Sequence, residues 1–182
     1  MSVTEISASQ FQEMVQAGAN RLQVNAEYVN SLNVFPVPDG DTGTNMNLSM
    51  TSGAKAVADS TSEKVGELAA MLSKGLLMGA RGNSGVILSQ LFRGFSKQIP
   101  DVTVLNAADL AAAFTHGVET AYKAVMKPVE GTILTVAREA AKAGEKKAKT
   151  SDDVVEVMMA VVKGGKRALA KTPDLLPVLK EV

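Results

Sequence analysis

The chain has 182 residues, 46% of them hydrophobic, which is enough apolar material to bury the core of one domain. Its 19 Lys and Arg residues balance its 19 Asp and Glu residues, so it lacks the basic surplus typical of a domain that binds a nucleic-acid backbone. The absence of cysteine excludes disulfides and thiolate metal sites and favours a reducing compartment.

Neither a targeting segment nor a membrane-spanning segment is predicted. Residues 1–12 lack the charged and apolar regions of a signal peptide. No apolar run approaches the roughly 20 residues that are needed to cross a bilayer. We therefore expect a soluble, cytoplasmic protein. Aromatic residues make up only 4% of the chain, and nine Met residues contribute to its apolar mass, which favours packed helices over a β-sandwich.

The N-terminal part of the chain predicts two helices separated by a loop. Apolar residues follow helical spacing from Phe11 to Val29, with Ser7 or Ser9 as the cap. Two prolines and two glycines interrupt the pattern over residues 30–43. A second helix is expected to begin near Thr44 and to run through Ala54.

The middle of the chain predicts two further helices. One covers Ser62 to about Leu77, and a glycine-rich stretch, Gly79–Gly85, leads into the next, which extends through Phe95. Val102–Leu105 is the only strand-like segment, and we expect it to be too short and isolated to form a sheet.

The C-terminal part predicts helices over residues 106–126, 131–147 and 152–170, with a short one from Pro173 onward. The fold class is therefore all-α, with seven or eight helices in a single domain over residues 1–182. Residues 179–182 carry no helix stop signal, so we expect the chain to be a fragment of a longer multidomain protein.

A loop with two carboxylates is the first segment that carries chemistry. Asp39 and Asp41 flank Gly40, and a hard divalent ion would remove the repulsion between two carboxylates that turn toward a common point. Magnesium typically takes one or two carboxylates together with substrate phosphates. An ordinary turn is the alternative, because Pro-Asp-Gly-Asp favours a turn by itself. The spacing does not fit an EF-hand.

A candidate phosphate site directly follows this loop. It consists of Thr42, Gly43, Thr44 and Asn45, which are expected at the start of the second helix. Free amides and the helix dipole favour anions at such a position. The predicted metal ligands therefore lie beside a predicted anion site.

The glycine-rich stretch is a second candidate phosphate site. Gly82 and Asn83 precede the hydroxyl of Ser84 at the start of an apolar helix. The alternative is a simple turn between helices, and the segment is not a P-loop because no Gly-Lys-Ser/Thr ending follows. Arg81 is a candidate for neutralising charge on a transferring phosphoryl group, or else a surface residue.

A third segment, Lys127–Leu134, contains Thr132, which is a candidate ligand contact or a simple helix cap. The single histidine, His116, falls inside a predicted helix and is interpreted as a bystander, since no Ser or Cys nucleophile stands beside it in the sequence.

These segments together resemble one family. The runs Pro-Asp-Gly-Asp-Thr-Gly-Thr-Asn-Met (38–46), Gly-Ala-Arg-Gly-Asn-Ser-Gly (79–85) and Lys-Pro-Val-Glu-Gly-Thr (127–132) are similar to the nucleotide-binding domain of the dihydroxyacetone kinase family. Within that family the similarity is closest to the N-terminal domain of bacterial fatty acid kinase A subunits, and it covers nearly the whole chain.

The resemblance implies a barrel of about eight antiparallel helices that binds ADP or ATP with two magnesium ions at one end. It assigns Asp39 and Asp41 to the metals, residues 42–45 and 83–84 to the phosphates, and a position near the nucleotide to Thr132. In the dihydroxyacetone kinases a third aspartate precedes this pair by five positions. Val34 stands there in this chain, and the neighbouring Asn33 is the candidate for the missing oxygen ligand.

The implied reaction transfers the γ-phosphoryl group of ATP to the carboxylate of a fatty acid held by a separate carrier protein, giving an acyl phosphate. An ionised carboxylate needs no general base, which is consistent with a site that lacks catalytic His or Cys. The family pattern continues beyond residue 182, and we expect this chain alone to bind nucleotide but to transfer phosphate poorly.

Two other functions remain open. A kinase of the same fold would act on dihydroxyacetone or another small polyol, and a non-catalytic nucleotide sensor would use the same residues for binding. A purely structural bundle would leave both polar, glycine-containing loops unexplained.

Overall fold

Helices account for most of the chain in the computed structural model, which describes residues 1–182. The seven α-helices are α1 (Ala8–Ser31), α2 (Thr42–Ala58), α3 (Val65–Gly79), α4 (Gly82–Gln98), α5 (Ala107–Ala124), α6 (Ile133–Ala148) and α7 (Val154–Leu175). A 3₁₀-helix (Pro177–Glu181) follows α7. The all-α prediction is confirmed.

Local sequence explains where several helices begin. Ser7 caps α1 in a reciprocal capping box with Gln10, which settles the choice between Ser7 and Ser9. The side chains of Asn106, Thr132 and Asp153 accept backbone N–H groups at the starts of α5, α6 and α7.

Two strands of two residues each form a small antiparallel ladder that was not predicted from the sequence. Strand β1 (Glu5–Ile6) pairs with β2 (Leu105–Asn106), with Ile6 opposite Leu105. The expectation that the strand-like segment would stay unpaired is therefore wrong. Both Ile6 and Leu105 are buried in the core, so hydrophobic packing offsets the small number of ladder hydrogen bonds.

Backbone contacts show how the helices are oriented. The N–H of Val65 at the start of α3 donates to the carbonyl of Thr103, just before α5, and the N–H of Val154 at the start of α7 donates to the carbonyl of Val3, just before α1. With the β1–β2 pair, these bonds gather the N-termini of α1, α3, α5 and α7 at one end. Because successive helices run antiparallel, α2, α4 and α6 begin at the opposite end.

The core is centred on α3. Val65, Leu68, Leu72 and Leu76, predicted to share one face, are all completely buried. A cluster of phenylalanines from three other helices extends this core. The ring centroid of Phe95 in α4 lies 6.4 Å from that of Phe11 in α1 and 5.4 Å from that of Phe114 in α5.

The C-terminal helix differs from the prediction. Pro173 was expected to start a new short helix, but α7 continues through it to Leu175. A proline in a helix leaves the carbonyl four residues earlier without its usual donor. The hydroxyl of Thr172 donates to that carbonyl, on Leu169, at 2.8 Å, which explains how the helix tolerates the proline.

None of the helices combines the length and the apolar character that crossing a membrane requires.

Candidate functional site

The predicted metal loop lies at the end of the bundle where α2, α4 and α6 begin. Gly40 adopts a left-handed backbone conformation, with φ at 69°, between Asp39 and Asp41. Asp41 is the N-cap of α2, but its side chain makes no capping hydrogen bond. Both aspartates are exposed, so their carboxylate oxygens remain available to a ligand.

Two asparagines fold this loop against α1. The Oδ1 atom of Asn33 accepts the N–H of Asp41 at 3.2 Å, and its Nδ2 atom donates to the carbonyl of Val37 at 2.9 Å. Asn30 makes a similar pair with Thr44, accepting its N–H at 3.0 Å and donating to its hydroxyl at 2.9 Å. Asn33 therefore lies beside Asp41 and shapes the loop. The role of Asn30 was missed, because its partner is 14 residues away.

The first turn of α2 begins two residues earlier than predicted, at Thr42 rather than Thr44. Gly43 is buried against α1, where an added Cβ would overlap the carbonyl oxygen of Ala26. Only a glycine allows the two backbones to approach this closely. Thr42, Gly43, Thr44 and Asn45 thus all belong to the first turn of the helix.

The structure brings the glycine-rich segment onto this turn. Gly82 begins α4 with φ at 59°, and a Cβ there would lie 2.5 Å from the Nδ2 atom of Asn45. The hydroxyl of Ser84 lies 3.4 Å from the carbonyl oxygen of Thr42. Residues 42–45 and 82–84, about 40 positions apart, therefore form one surface.

The helix starts at this surface differ from the others. Side chains cap α1, α5, α6 and α7, and the backbone carbonyls of Val102 and Thr103 receive the first N–H groups of α3. The N-caps of α2 and α4, Asp41 and Arg81, make no side-chain capping bond, although Asn30 of α1 accepts the N–H of Thr44 in the first turn of α2. Two helix starts thus direct amide groups toward the same surface, and such amides bind anions.

Arg81 and Asn83 are exposed beside this junction. The Nη1 atom of Arg81 donates to the carbonyl of Ala80 at 3.1 Å, which is a local bond that leaves its other donors free for an anion.

Thr132 lies at the same end of the bundle, at the start of α6. This helix packs against α5 and α7, so Thr132 is not part of the α2–α4 junction. It is the N-cap of α6: its hydroxyl accepts the N–H of Leu134 at 3.3 Å and donates to the carbonyl of Val129 at 2.8 Å. The interpretation of Thr132 as a cap residue is confirmed.

A polar network beside Thr132 was not predicted. Glu130 accepts hydrogen bonds from Tyr122 at 3.1 Å and Arg138 at 2.8 Å through Oε1, and from Thr135 at 2.5 Å through Oε2. The Arg138 Nη1 atom also donates to the Tyr122 hydroxyl at 2.9 Å. The signal present in the sequence was the placement of Thr132, Thr135 and Arg138 three residues apart at the start of α6.

Hydrogen bonding sets the charge states in this network. The bond from Thr135, aided by those from Arg138 and Tyr122, lowers the pKa of Glu130. The bond to Glu130 raises the pKa of Arg138. Burial raises the pKa of Tyr122, so the phenol stays protonated as a donor.

His116 lies away from this end. Its Nδ1 atom is 2.7 Å from the carbonyl oxygen of Gly94, which stands 12 residues along α4 from Gly82, or about 18 Å at 1.5 Å per residue. A shallow cleft of about 690 Å³, lined by residues such as Thr4, Asn106 and Lys149, also lies at the opposite end.

The donor set of the loop suits magnesium. No group of three or more His, Cys, Asp or Glu side chains gathers anywhere in the structure, so the chain does not form a complete carboxylate cage. Asp39, Asp41 and the Asn33 carboxamide nevertheless provide hard oxygen atoms beside a surface suited to phosphate. Magnesium favours this arrangement, because it keeps positions for water and substrate phosphates.

Comparison with known proteins agrees with the motifs. The DAK2 domain model matches residues 36–182. Protein YloV of Bacillus subtilis is 59% identical over 182 residues, which is 100% of this chain and 33% of that protein. Uncharacterized proteins of Staphylococcus saprophyticus and Staphylococcus aureus are 59% and 57% identical over 180 residues, which is 99% of this chain and 33% of each of those proteins.

The chain thus spans about a third of the length of the curated relatives it matches. The family match includes both glycine-containing loops and the Thr132 segment. The chain therefore belongs to the DAK2 domain family, which is related to the dihydroxyacetone kinases.

Proposed function

We propose that this chain supplies the ATP and magnesium site of a kinase that phosphorylates the carboxylate of a fatty acid. The acid would be presented by a separate fatty-acid-binding carrier protein, and the product would be an acyl phosphate. The observation that carries the nucleotide part is the convergence of the α2 and α4 starts beside Asp39 and Asp41. The fatty acid part rests on the motif resemblance and on the chemistry of the acceptor.

Asp39 and Asp41 would hold the magnesium ions, with the second lone pair of the Asn33 Oδ1 atom as a further ligand. The bound metal would neutralise charge on the β- and γ-phosphates. Two ions are consistent with this donor set only if phosphate oxygens complete their coordination.

The phosphates themselves would lie on the first turns of α2 and α4. The amides of Thr42, Gly43, Gly82 and Asn83 and the hydroxyl of Thr44 are the donors available there. The hydroxyl of Ser84 would exchange its long bond of 3.4 Å to the Thr42 carbonyl for a phosphate oxygen, and the Asn45 carboxamide lies against Gly82. Arg81 would stabilise charge on the phosphoryl group in transfer, and Thr132 would approach the nucleotide from α6.

A carboxylate acceptor fits the residues at this end. His116 is far from the junction, and the chain contains no cysteine. A fatty acid is ionised near neutral pH and attacks the γ-phosphorus without losing a proton, whereas a polyol hydroxyl needs a base. Positioning and electrostatic neutralisation then account for the catalysis that this chain provides.

Calorimetric titration of ADP tests the nucleotide site. We expect binding that requires magnesium and that Asp41→Asn weakens by about tenfold or more, or roughly 1.4 kcal/mol. Asp59→Asn is the matched control, because Asp59 is an exposed aspartate at the other end of α2. Equal affinity with magnesium and with chelator, or equal losses in both variants, would refute the assignment of the metal loop.

The acceptor is tested with the full-length protein. ATP consumption is measured with a fatty acid loaded on its carrier, with dihydroxyacetone, and with neither. Turnover only with the loaded carrier is the expected result. Turnover with dihydroxyacetone would indicate a polyol kinase, and tight nucleotide binding without turnover on either acceptor would indicate a nucleotide sensor.

A further inference from the structure

Thr135 connects the Glu130 carboxylate to the backbone of the loop between α5 and α6. Its hydroxyl donates to Glu130 Oε2 at 2.5 Å and accepts the N–H of Gly131 at 2.8 Å. The carboxylate only accepts and the amide only donates, so the hydroxyl has one orientation that serves both. Thr135 is 3% exposed, which shields these bonds from competing water.

The loop is also held from its other side. Gly131 has φ at 85°, and a Cβ there would lie 2.7 Å from the Cβ of Leu176, just beyond α7. Gly131 is therefore fixed between the Thr135 hydroxyl and the end of α7. The next residue is Thr132, the N-cap that sets the direction of the first turn of α6.

A helix start of this kind does not need a charged network for capping alone. Thr132 already provides the capping bond, as Asn106 and Asp153 do for α5 and α7 without such a network. The additional bonds from Tyr122, Thr135 and Arg138 all end on Glu130. Their effect is to fix the loop itself, at the end of the bundle where α2 and α4 also begin.

We propose that Thr135 and Glu130 are positioning residues of the nucleotide site, which hold Gly131 and Thr132 in place for contact with the bound nucleotide. This inference rests on the proposed function. The lowered pKa of Glu130 supports it, because the carboxylate then remains an acceptor throughout the neutral range.

Two substitutions at Thr135 separate positioning from packing. Thr135→Val keeps the shape but removes the hydroxyl, and Thr135→Ser keeps the hydroxyl but removes a methyl group. If the hydroxyl positions the loop, Thr135→Val weakens magnesium–ADP binding by about tenfold while Thr135→Ser stays within about twofold, as measured by calorimetry. A packing role predicts the opposite order, because valine fills the buried site and serine leaves a cavity.

Glu130→Gln and Glu139→Gln form a second matched pair. Both carboxylates accept hydrogen bonds from Arg138, but the Oε1 atom of Glu139 accepts from the Arg138 Nε atom at 3.0 Å, and Glu139 makes no bond to the loop. We expect Glu130→Gln to weaken binding and Glu139→Gln to leave it within about twofold of the parent. Thermal melts identify any variant that has simply unfolded.

Amide hydrogen exchange at Gly131 and Thr132 gives a readout that needs no nucleotide. Faster exchange in Thr135→Val but not in Thr135→Ser is expected. Unchanged exchange together with unchanged affinity in Thr135→Val would overturn the positioning role and leave the proposed function intact. Failure of the parent chain to bind magnesium–ADP would overturn both.

Discussion

Glu130 shows how a partly exposed carboxylate acquires a defined geometry. Its side chain is 45% exposed, yet it accepts hydrogen bonds from side chains of both neighbouring helices. Because solvent screens an ion pair at such exposure, the pair with Arg138 contributes modestly to stability by itself. The defined geometry comes from the buried Thr135 and the backbone amide behind it.

The lowered pKa of Glu130 predicts an acid-sensitive contribution to stability. Its pKa in the fold is below the ordinary value of 4.5, so the unfolded chain takes up the proton first as the pH falls. The contribution is complete above about pH 4.5 and is lost as the pH falls through the lower folded value. Urea unfolding at a series of pH values should therefore show a shallower acid loss in Glu130→Gln than in the parent.

Glu145→Gln is the control for that series. The Glu145 carboxylate lies 3.7 Å from the Lys149 ammonium group in an exposed pair at the C-terminal end of α6, and it has no bond to the loop. Its removal should leave the pH dependence close to that of the parent. Parallel curves for the parent and Glu130→Gln would contradict the role given to the Thr135 hydrogen bond.

Prediction from the sequence succeeded for single residues whose conformation depends on their neighbours in the chain. Turn chemistry places Asp39, Gly40 and Asp41 in one loop, and the structure has that loop with a left-handed glycine. The partners of Glu130 were missed because they come from α5 and α6 and meet only in the folded chain. Spacing along one helix does not reveal an acceptor that lies outside it.

Two helical glycines differ in the space that surrounds them. Gly18 in α1 is exposed, and the nearest neighbour of an added Cβ is the Met50 methyl group at 4.0 Å. Gly43 in α2 is buried, and an added Cβ would overlap the Ala26 carbonyl oxygen.

We expect Gly18→Ala to stabilise the chain by about 0.5–1 kcal/mol, because alanine restricts the unfolded backbone and fits the helix. Gly43→Ala should instead destabilise it by about 1–3 kcal/mol, because α1 and α2 must separate. Denaturant unfolding of both variants measures the two changes. A loss of stability in Gly18→Ala would show that α1 is constrained there in a way that the open space does not indicate.

The helices themselves were largely predictable, and their boundaries were less so. Apolar periodicity placed all seven, including the completely buried face of α3. The third helix begins at Val65 rather than Ser62, and α7 passes through Pro173. The latter depends on the Thr172 hydroxyl bond to Leu169, a compensation that a general rule about proline does not include.

Phe95 links distant parts of the molecule. Its ring contacts Phe11 of α1, Phe92 of α4 and Phe114 of α5, and the residue is 5% exposed. Phe95→Ala should lower the free energy of unfolding by about 3–5 kcal/mol through lost burial and the cavity that remains. Val24→Ala, at a position that is 77% exposed, should change it by less than about 0.5 kcal/mol. Similar effects of the two substitutions in denaturant unfolding would mean that the aromatic cluster does not hold α1 against α4 and α5.

At the scale of the whole chain, the sequence predicted the class of fold but not how its segments meet. Residues 42–45 and 82–84 are separated by α3, and no spacing rule brings them together. The family resemblance implied a shared site, and the contacts of Gly82 with Asn45 and of Ser84 with Thr42 describe the meeting point. The sequence also predicted a separate helix for Thr132, but not its position relative to this meeting point.

The junction of α2 and α4 exists only when α3 has folded between them. A ligand that requires both helix starts therefore binds the native chain and not the unfolded one, so its binding free energy adds to that of folding. By thermodynamic linkage, a ligand present at 100 times its dissociation constant would stabilise the fold by about 2.7 kcal/mol. The cell's supply of such a ligand would then raise the fraction of chains that are folded as well as the fraction of sites that are filled.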